Sequence, residues 1–252
     1  MLSRNINFKS FDQKPNNQKI KKDLKSVLGQ NNEILKSLTK TYKYKYNKNL
    51  IKKFKKEKTL KIIGIGGSIL GAQAIHDFLK HKIKKKIIFY DNLDSNIKNK
   101  SKCVNIIISK SGNTLETISN TNILTTKNEK NIFITESKNS YLRSLALKLK
   151  AEIINHNNFI GGRYSVMSEV GMLPAELMGL DEGKFKQLNN LIKNKNFINL
   201  LVSNVSSTLF FIKKKRFNSI ILNYDNSSDN LFRWYQQLIA ESLGKKGKGI
   251  LP

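Results

Sequence analysis

Val104-Asn105-Ile106-Ile107-Ile108-Ser109-Lys110-Ser111-Gly112-Asn113-Thr114-Leu115-Glu116-Thr117 is the stretch on which the reading of this chain turns. Its first five residues form a short apolar run of the kind that is buried on both faces of a parallel sheet. Its remainder is small, hydroxyl-bearing and interrupted by glycine, and it leads into a helical pattern at 114–126. A strand that turns into a helix through such residues leaves backbone N–H groups free at the positive end of the helix. Together with Ser and Thr hydroxyls, those donors suit a phosphate. Ser and Thr also cap helices that bind nothing, so the segment alone leaves both readings open.

Outward from this stretch, short apolar runs alternate with amphipathic segments. Leu60–Ile65, Lys86–Tyr90, Val104–Ile108, Asn131–Thr135 and Ala151–Ile154 read as strands, and 70–82, 114–126 and 140–149 as helices. That alternation predicts βαβ units in an α/β fold, a doubly wound parallel sheet flanked by helices whose ligands bind beyond the carboxyl ends of the strands. Further on, helical patterns near 183–193 and 197–213 lead to an expected strand at Ser219–Tyr224 and then to a helix carrying Gln237 and Glu241. The spacing of four puts those two side chains on one helix face. Residues 1–56 are lysine-rich with an incomplete apolar face and read as a partly helical N-terminal arm. A first α/β domain is expected over 57–160, and linking helices with the start of a second domain over 161–252.

With 252 residues the chain is long enough to bury a proper core. Its single cysteine, Cys103, rules out an internal disulfide and reads as an inert, partly buried thiol. No signal-peptide pattern and no apolar stretch long enough to span a bilayer is present, so a cytoplasmic protein without membrane contact is expected. The formal charge of +28 invites a nucleic-acid reading. Lysine is nevertheless spread along the whole chain together with heavy use of Asn and Ile, the signature of an AT-biased coding sequence. Even the tract Tyr42–Lys56, where aromatics interleave with lysine, reads as a solvated face, and nucleic acid is not expected as a partner. His76, His81 and His156 lack ligand spacing, so neither a metal nor a cofactor is expected.

Two further glycine motifs resemble sites. Gly64-Ile65-Gly66-Gly67-Ser68-Ile69-Leu70-Gly71 follows the first strand. It fails the dinucleotide fingerprint at Ile69 and lacks the Gly-Lys-Ser/Thr ending of a P-loop. What remains is a glycine pair that admits a ligand close to the backbone, with the Ser68 hydroxyl at a helix start; glycines serving only helix packing are the alternative. Gly161-Gly162-Arg163-Tyr164-Ser165-Val166-Met167-Ser168 is expected to open a helix that continues through Pro174, presenting the Arg163 fork to a phosphate or an oxyanion. An ordinary surface arginine is the alternative there.

Taken in order, the motifs at 64–71, 109–117, 161–168 and 237–245 (Gln-x-x-x-Glu-Ser-x-Gly-Lys) resemble those of the glucose-6-phosphate isomerase family, over roughly residues 60–252. The first two alone would indicate only a sugar-isomerase (SIS) domain. The last two are more specific to the isomerase. The resemblance implies two SIS domains, the second incomplete here, and a homodimer acting on a sugar phosphate. It implies that Ser109, Lys110, Ser111 and Thr114 form the phosphate loop and that Gly67 and Ser68 line the sugar pocket. It implies further that Gln237 contacts substrate, that Arg163 stabilises the negative intermediate and that Glu241 is the catalytic base. Asn113 stands where many relatives have threonine. Relatives also continue well past the position of Pro252 and draw a ring-opening histidine and a lysine from that part, so a fragment is expected. A non-catalytic SIS-type sugar-phosphate-binding module is the competing expectation; it leaves Arg163, Gln237 and Glu241 without a reason.

Overall fold

Five short strands, β1 (Thr59–Ile63), β2 (Lys86–Tyr90), β3 (Val104–Ile108), β4 (Lys130–Thr135) and β5 (Glu152–Asn155), pair entirely in parallel in the order β2-β1-β3-β4-β5. The computed structural model describes residues 17–93, 103–247 and 249–252. Among the described residues ten α-helices accompany the strands: α1 (Asn17–Leu28), α2 (Glu33–Ser37), α3 (Lys48–Phe54), α4 (Leu70–Phe78), α5 (Leu115–Leu124), α6 (Tyr141–Lys148), α7 (Glu169–Met178), α8 (Leu188–Lys193), α9 (Lys195–Lys213) and α10 (Asp229–Leu243). Among the described residues no helix is long and apolar enough to cross a membrane.

The period-2 geometry of the strands sorts their side chains into two layers. Leu60, Ile62, Val104, Ile106, Ile108, Ile132, Ile134 and Ile154 face one side, where α3, α4 and α7 cover them with Ile51, Phe54, Ile69, Ala72, Val170, Leu173 and Leu177. Ile63, Ile107 and Phe133 face the other, under Leu124 of α5 and Leu142 and Ala146 of α6. Helices on both faces make the sheet doubly wound, as the alternation of runs predicts. The strands fall within a residue or two of their predicted bounds.

One row in the second layer is polar. Lys61, Asn105 and Asn131 are neighbours in register and all buried. Asn105 Nδ2 donates to Asn131 Oδ1 at 2.8 Å and to Glu129 Oε2 at 3.1 Å, and Asn131 Nδ2 donates to the Thr126 carbonyl at 2.9 Å, which satisfies groups that would otherwise be costly to bury. The Cys103 thiol donates to Asn105 Oδ1 at 3.4 Å, and burial pushes its pKa up, so it stays protonated and unreactive.

The chain forms two compact units. One comprises the residues up to Tyr42, Lys186–Ile221 and Ile239–Pro252, and within it α1 packs on α9 and α8 on α9. The other, Lys43–Phe185 with Leu222–Leu238, holds the whole sheet. Residues 43–56 therefore belong with the sheet, through Ile51 and Phe54. Their lysine content hides that apolar pair in the sequence.

The strand expected at Ser219–Tyr224 is not formed. A single parallel bridge joins Asn218 to Leu251, where the Ser219 N–H donates to the Leu251 carbonyl at 2.8 Å. Ile220, Leu222 and Tyr224 are 84%, 74% and 93% exposed. The β-branched, aromatic pattern is right for a strand, but a ladder needs a partner on which to register, and pattern alone supplies none.

α7 is tied to Tyr46 and to the first residue of α3 by a polar cluster around the buried Glu176. The Tyr46 hydroxyl donates to Glu176 Oε1 at 2.8 Å, and Lys48 donates to Glu176 Oε2 and Glu182 Oε1, each at 2.9 Å. Burial first, and the Glu176 charge second, hold the Tyr46 phenol far above its usual pKa, so it remains a donor. Tyr46→Phe is expected to lower stability to urea by about 1.5–3 kcal/mol, the worth of a hydrogen bond to a buried charge. A loss below about 0.5 kcal/mol would mean that Lys48 satisfies the carboxylate alone.

Candidate functional site

β1 and β3 are neighbours, and the chain leaves β1 toward α4 on one face but leaves β3 toward α5 on the other. Such a reversal opens a crevice at the carboxyl end of the sheet. Both the Gly66–Ser68 turn and the Ser109–Thr114 loop fall at this point.

The loop after β3 is organised around buried Ser109. Its Oγ lies 3.0 Å from Thr114 Oγ1 and accepts the Gly112 N–H at 3.2 Å, while Ser111 Oγ accepts the Asn113 N–H at 3.2 Å. Gly112 has φ +66°, and a Cβ there would lie 2.1 Å from Ser140 Oγ, so both conformation and space demand glycine. The loop is seated on the start of α6: the Leu142 N–H donates to the Gly112 carbonyl at 3.0 Å and the Tyr141 N–H to Asn113 Oδ1 at 3.0 Å. Asn113 thus serves as a brace. Thr114 occupies the N-cap position of α5, yet its side chain makes no capping hydrogen bond. This weighs against the plain capping reading, because the hydroxyl turns to Ser109 and leaves the first-turn N–H groups of a ten-residue helix to other acceptors. The Lys110 ammonium points to the loop's flank, donating to the Asn158 carbonyl at 2.8 Å and lying 3.4 Å from Glu136 Oε1.

The turn after β1 meets two other motifs. A Cβ on Gly67 would come within 2.3 Å of the Gly162 carbonyl carbon and 2.6 Å of the Arg163 nitrogen, so backbone lies directly on backbone. Ser165 Oγ bonds to the Gly162 carbonyl at 2.6 Å and reaches the Gly67 carbonyl at 3.2 Å. Gly66 has φ +54°, which favours glycine, and lies beside Gln237, whose Nε2 would stand 2.9 Å from a Cβ. Trp234 Nε1 donates to the Arg163 carbonyl at 3.1 Å. A Cβ on Gly64 would lie 3.0 Å from the Ile108 carbonyl and 3.3 Å from Ser68 Cβ, which sets Ser68 beside the end of β3.

Gly67, Ser68, Ser109, Lys110, Ser111, Thr114, Arg163 and Gln237 all belong to the sheet unit. Arg163 is half-buried with its guanidinium stacked 4.7 Å from the Tyr164 ring centroid. It sits on a 3-10 turn, Gly162–Met167, and not on a continuous helix. Ser168 breaks the run in an extended conformation and caps α7 by accepting the Val170 N–H. Glu241 lies four residues beyond Gln237 on α10, in the other unit, with an exposed side chain. Trp234 and Ser165 were not singled out from the sequence. Trp234, three residues before Gln237, carries the only available signal, since i and i+3 share a helix face. Among the described residues no group of His, Cys, Asp or Glu is placed to hold a metal ion.

Comparisons with known proteins bear on this arrangement. Residues 9–249 match the family model described as phosphoglucose isomerase. The glucose-6-phosphate isomerase of Mycoplasmopsis pulmonis is 34% identical over 243 residues, covering 82% of this chain and 56% of that protein. Its namesake in Methanocaldococcus jannaschii is 32% identical over 210 residues, covering 76% and 52%. The chain spans about half the length of the curated relatives it matches. Among solved structures, a hypothetical protein from Thermus thermophilus superposes with a TM-score of 0.69 at 19% identity, over 93% of this chain and 62% of that one. Tagatose-6-phosphate ketose/aldose isomerase from Escherichia coli gives 0.55 at 12%, over 81% and 59%. At those identities the likeness is one of fold.

Two outcomes follow from this geometry. Gly67→Ala forces the Gly66–Ser68 turn off the 162–163 backbone, so hydrogen exchange of the Arg163–Ser168 amides is expected to accelerate; unchanged protection would show that the close approach is not needed. His156, 3% exposed at the end of β5, is held below the ordinary imidazole value of 6.5 chiefly by burial. The unfolded chain therefore takes up this proton first, and the contribution present above pH 6.5 is lost as pH falls below it. His156→Gln should flatten the fall in stability measured by urea unfolding between pH 7 and pH 5.

Proposed function

This chain belongs to the phosphoglucose isomerase family, and from that premise we propose that it binds a hexose 6-phosphate and serves the interconversion of glucose 6-phosphate and fructose 6-phosphate. The observation that carries the reading is the meeting of Gly66–Ser68, Gly162–Arg163 and Gln237 beside the Ser109–Thr114 loop at the switch point of the sheet. Ser109, Ser111 and Thr114 hold the phosphate through hydroxyls and N–H groups at the start of α5. Lys110 contributes its backbone N–H, since its ammonium is engaged with Asn158 and Glu136. Gly67 lets the Gly162–Arg163 backbone close on the turn and so brings Arg163 to the pocket that Gly67 and Ser68 line, and Ser68 and Gln237 contact the sugar.

The chemistry follows from the residue types. Moving a proton between C2 and C1 of the open-chain sugar passes through a cis-enediol, and one carboxylate can take the proton from one carbon and return it to the other. Glu241 performs both transfers. The Arg163 guanidinium offsets the charge that develops on the enediolate oxygens, a task for a permanently charged donor. The protein acts in the cytoplasm, as a homodimer, in glycolysis and gluconeogenesis.

One observation favours a second reading, a non-catalytic sugar-phosphate-binding module. The Glu241 residue is exposed, whereas Ser109 is buried and Arg163 and Gln237 are half-buried. A coupled assay of fructose 6-phosphate formation, run beside calorimetric titration with the same sugar phosphate, separates the two. Turnover is expected of a version extended by the part that relatives carry beyond the position of Pro252, and Glu241→Gln in that version lowers kcat by about 10²–10⁴-fold while leaving phosphate affinity largely intact. Binding without turnover supports the module, and unchanged turnover in Glu241→Gln removes the assigned base.

A further inference from the structure

The buried carboxylate of Glu169 has no part in the chemistry above, yet it is fully enclosed. It is the first residue of α7, has 0% exposure, and its Oε1 accepts the Asn157 N–H at 2.9 Å. A carboxylate is costly to bury unless it is hydrogen-bonded, and its place in the first turn of a helix favours the negative charge. Asn157 lies at the centre of a tight turn. Its Oδ1 accepts the Phe159 N–H at 3.0 Å and its carbonyl accepts the Ile160 N–H at 3.1 Å, while His156 on its other side is tied to the end of β4 through the Thr135 carbonyl at 2.8 Å. The next residue, Asn158, presents the carbonyl that seats the Lys110 ammonium. A continuous chain of contacts therefore runs from Glu169 through the 156–160 turn to Lys110, in the middle of the loop after β3.

We propose that Glu169 is a positioning residue of the phosphate cradle: by holding Asn157 it fixes the Asn158 carbonyl that keeps the Lys110 ammonium at the flank of the loop. The Lys110 backbone is held by its own carbonyl, which accepts the Glu136 N–H at 3.1 Å and the Thr135 hydroxyl at 3.3 Å, so what the Asn158 carbonyl fixes is the place of the ammonium. The charge of the side chain stays near the anion without occupying its place. Glu136, the other anchor of Lys110, leaves the ammonium only half held when the Asn158 carbonyl moves. Glu169 touches no substrate and acts through Lys110 alone. This inference rests on the reading of Ser109–Thr114 as a phosphate cradle.

The test is titration calorimetry of the whole chain with inorganic phosphate and with fructose 6-phosphate. Glu169→Asp keeps the charge and shortens the reach by one methylene; Glu169→Gln keeps the reach and an acceptor oxygen while losing the charge. Asp is expected to weaken phosphate binding about tenfold, the effect of misplacing one charge-assisted hydrogen bond, and Gln to restore it to near the original affinity. Lys110→Met should weaken binding as well, and adding Glu169→Asp to it should weaken it no further, because both changes act on one chain of contacts. Wild-type affinity in Glu169→Asp, or losses that add in the double variant, overturns the positioning role. If the unaltered chain takes up neither ligand, the cradle reading falls and this proposal with it.

Discussion

The pairing of β1 with β3 at the centre of the sheet is the constraint from which the rest of the structure follows. Both strands are buried on both faces, Leu60, Ile62 and Ile63 against Val104, Ile106, Ile107 and Ile108, so their position is set by apolar burial on two sides at once. Because the chain departs from β1 and β3 toward opposite faces, the two turns diverge and leave the carboxyl edge open between them. The Gly66–Ser68 turn and the Ser109–Thr114 loop both fall there. Without this pairing the Ser109–Thr114 loop would be a helix start with no neighbour.

The second constraint is the contact of Gly67 with Gly162. Two glycines allow the turn after β1 to rest on the backbone that carries Arg163, and Ser165 and Trp234 bond to the carbonyls on either side. This contact converts separate motifs into one surface. The same economy appears under the Ser109–Thr114 loop, where Gly112 leaves space for Ser140 and Asn113 takes the first N–H of α6. In each case a small residue matters for what it lets approach, and a polar neighbour completes the hydrogen bonds of that approach.

Much of this was legible in the residues. The isoleucine-rich runs marked the strands, because a strand buried on both faces has no polar side to disguise it. α3 was hidden, since Ile51 and Phe54 are flanked by exposed lysines. At Ser219–Tyr224 the residue pattern predicts a strand, yet only Asn218 finds a bridge partner, in Leu251. The motifs named the chemical types at the site, but not the partners of each residue. Nothing in the spacing foretold that the Lys110 ammonium would be engaged by the Asn158 carbonyl, or that Glu169 would be fully buried.

The sequence by itself determined the parallel sheet, the small, hydroxyl-bearing make-up of the loop after Ile108 and the family to which the motifs belong. These depend on local periodicity and on residues close together in the chain, where spacing translates directly into geometry. Only the tertiary structure decided which motifs touch. The close approach of Gly67 to Gly162, the seat of Gln237 beside Gly66 and the anchoring of Lys110 all join residues far apart in sequence. Such contacts are settled by the packing of whole elements, in which hundreds of weak apolar contacts choose the arrangement and the polar site adopts the places they leave.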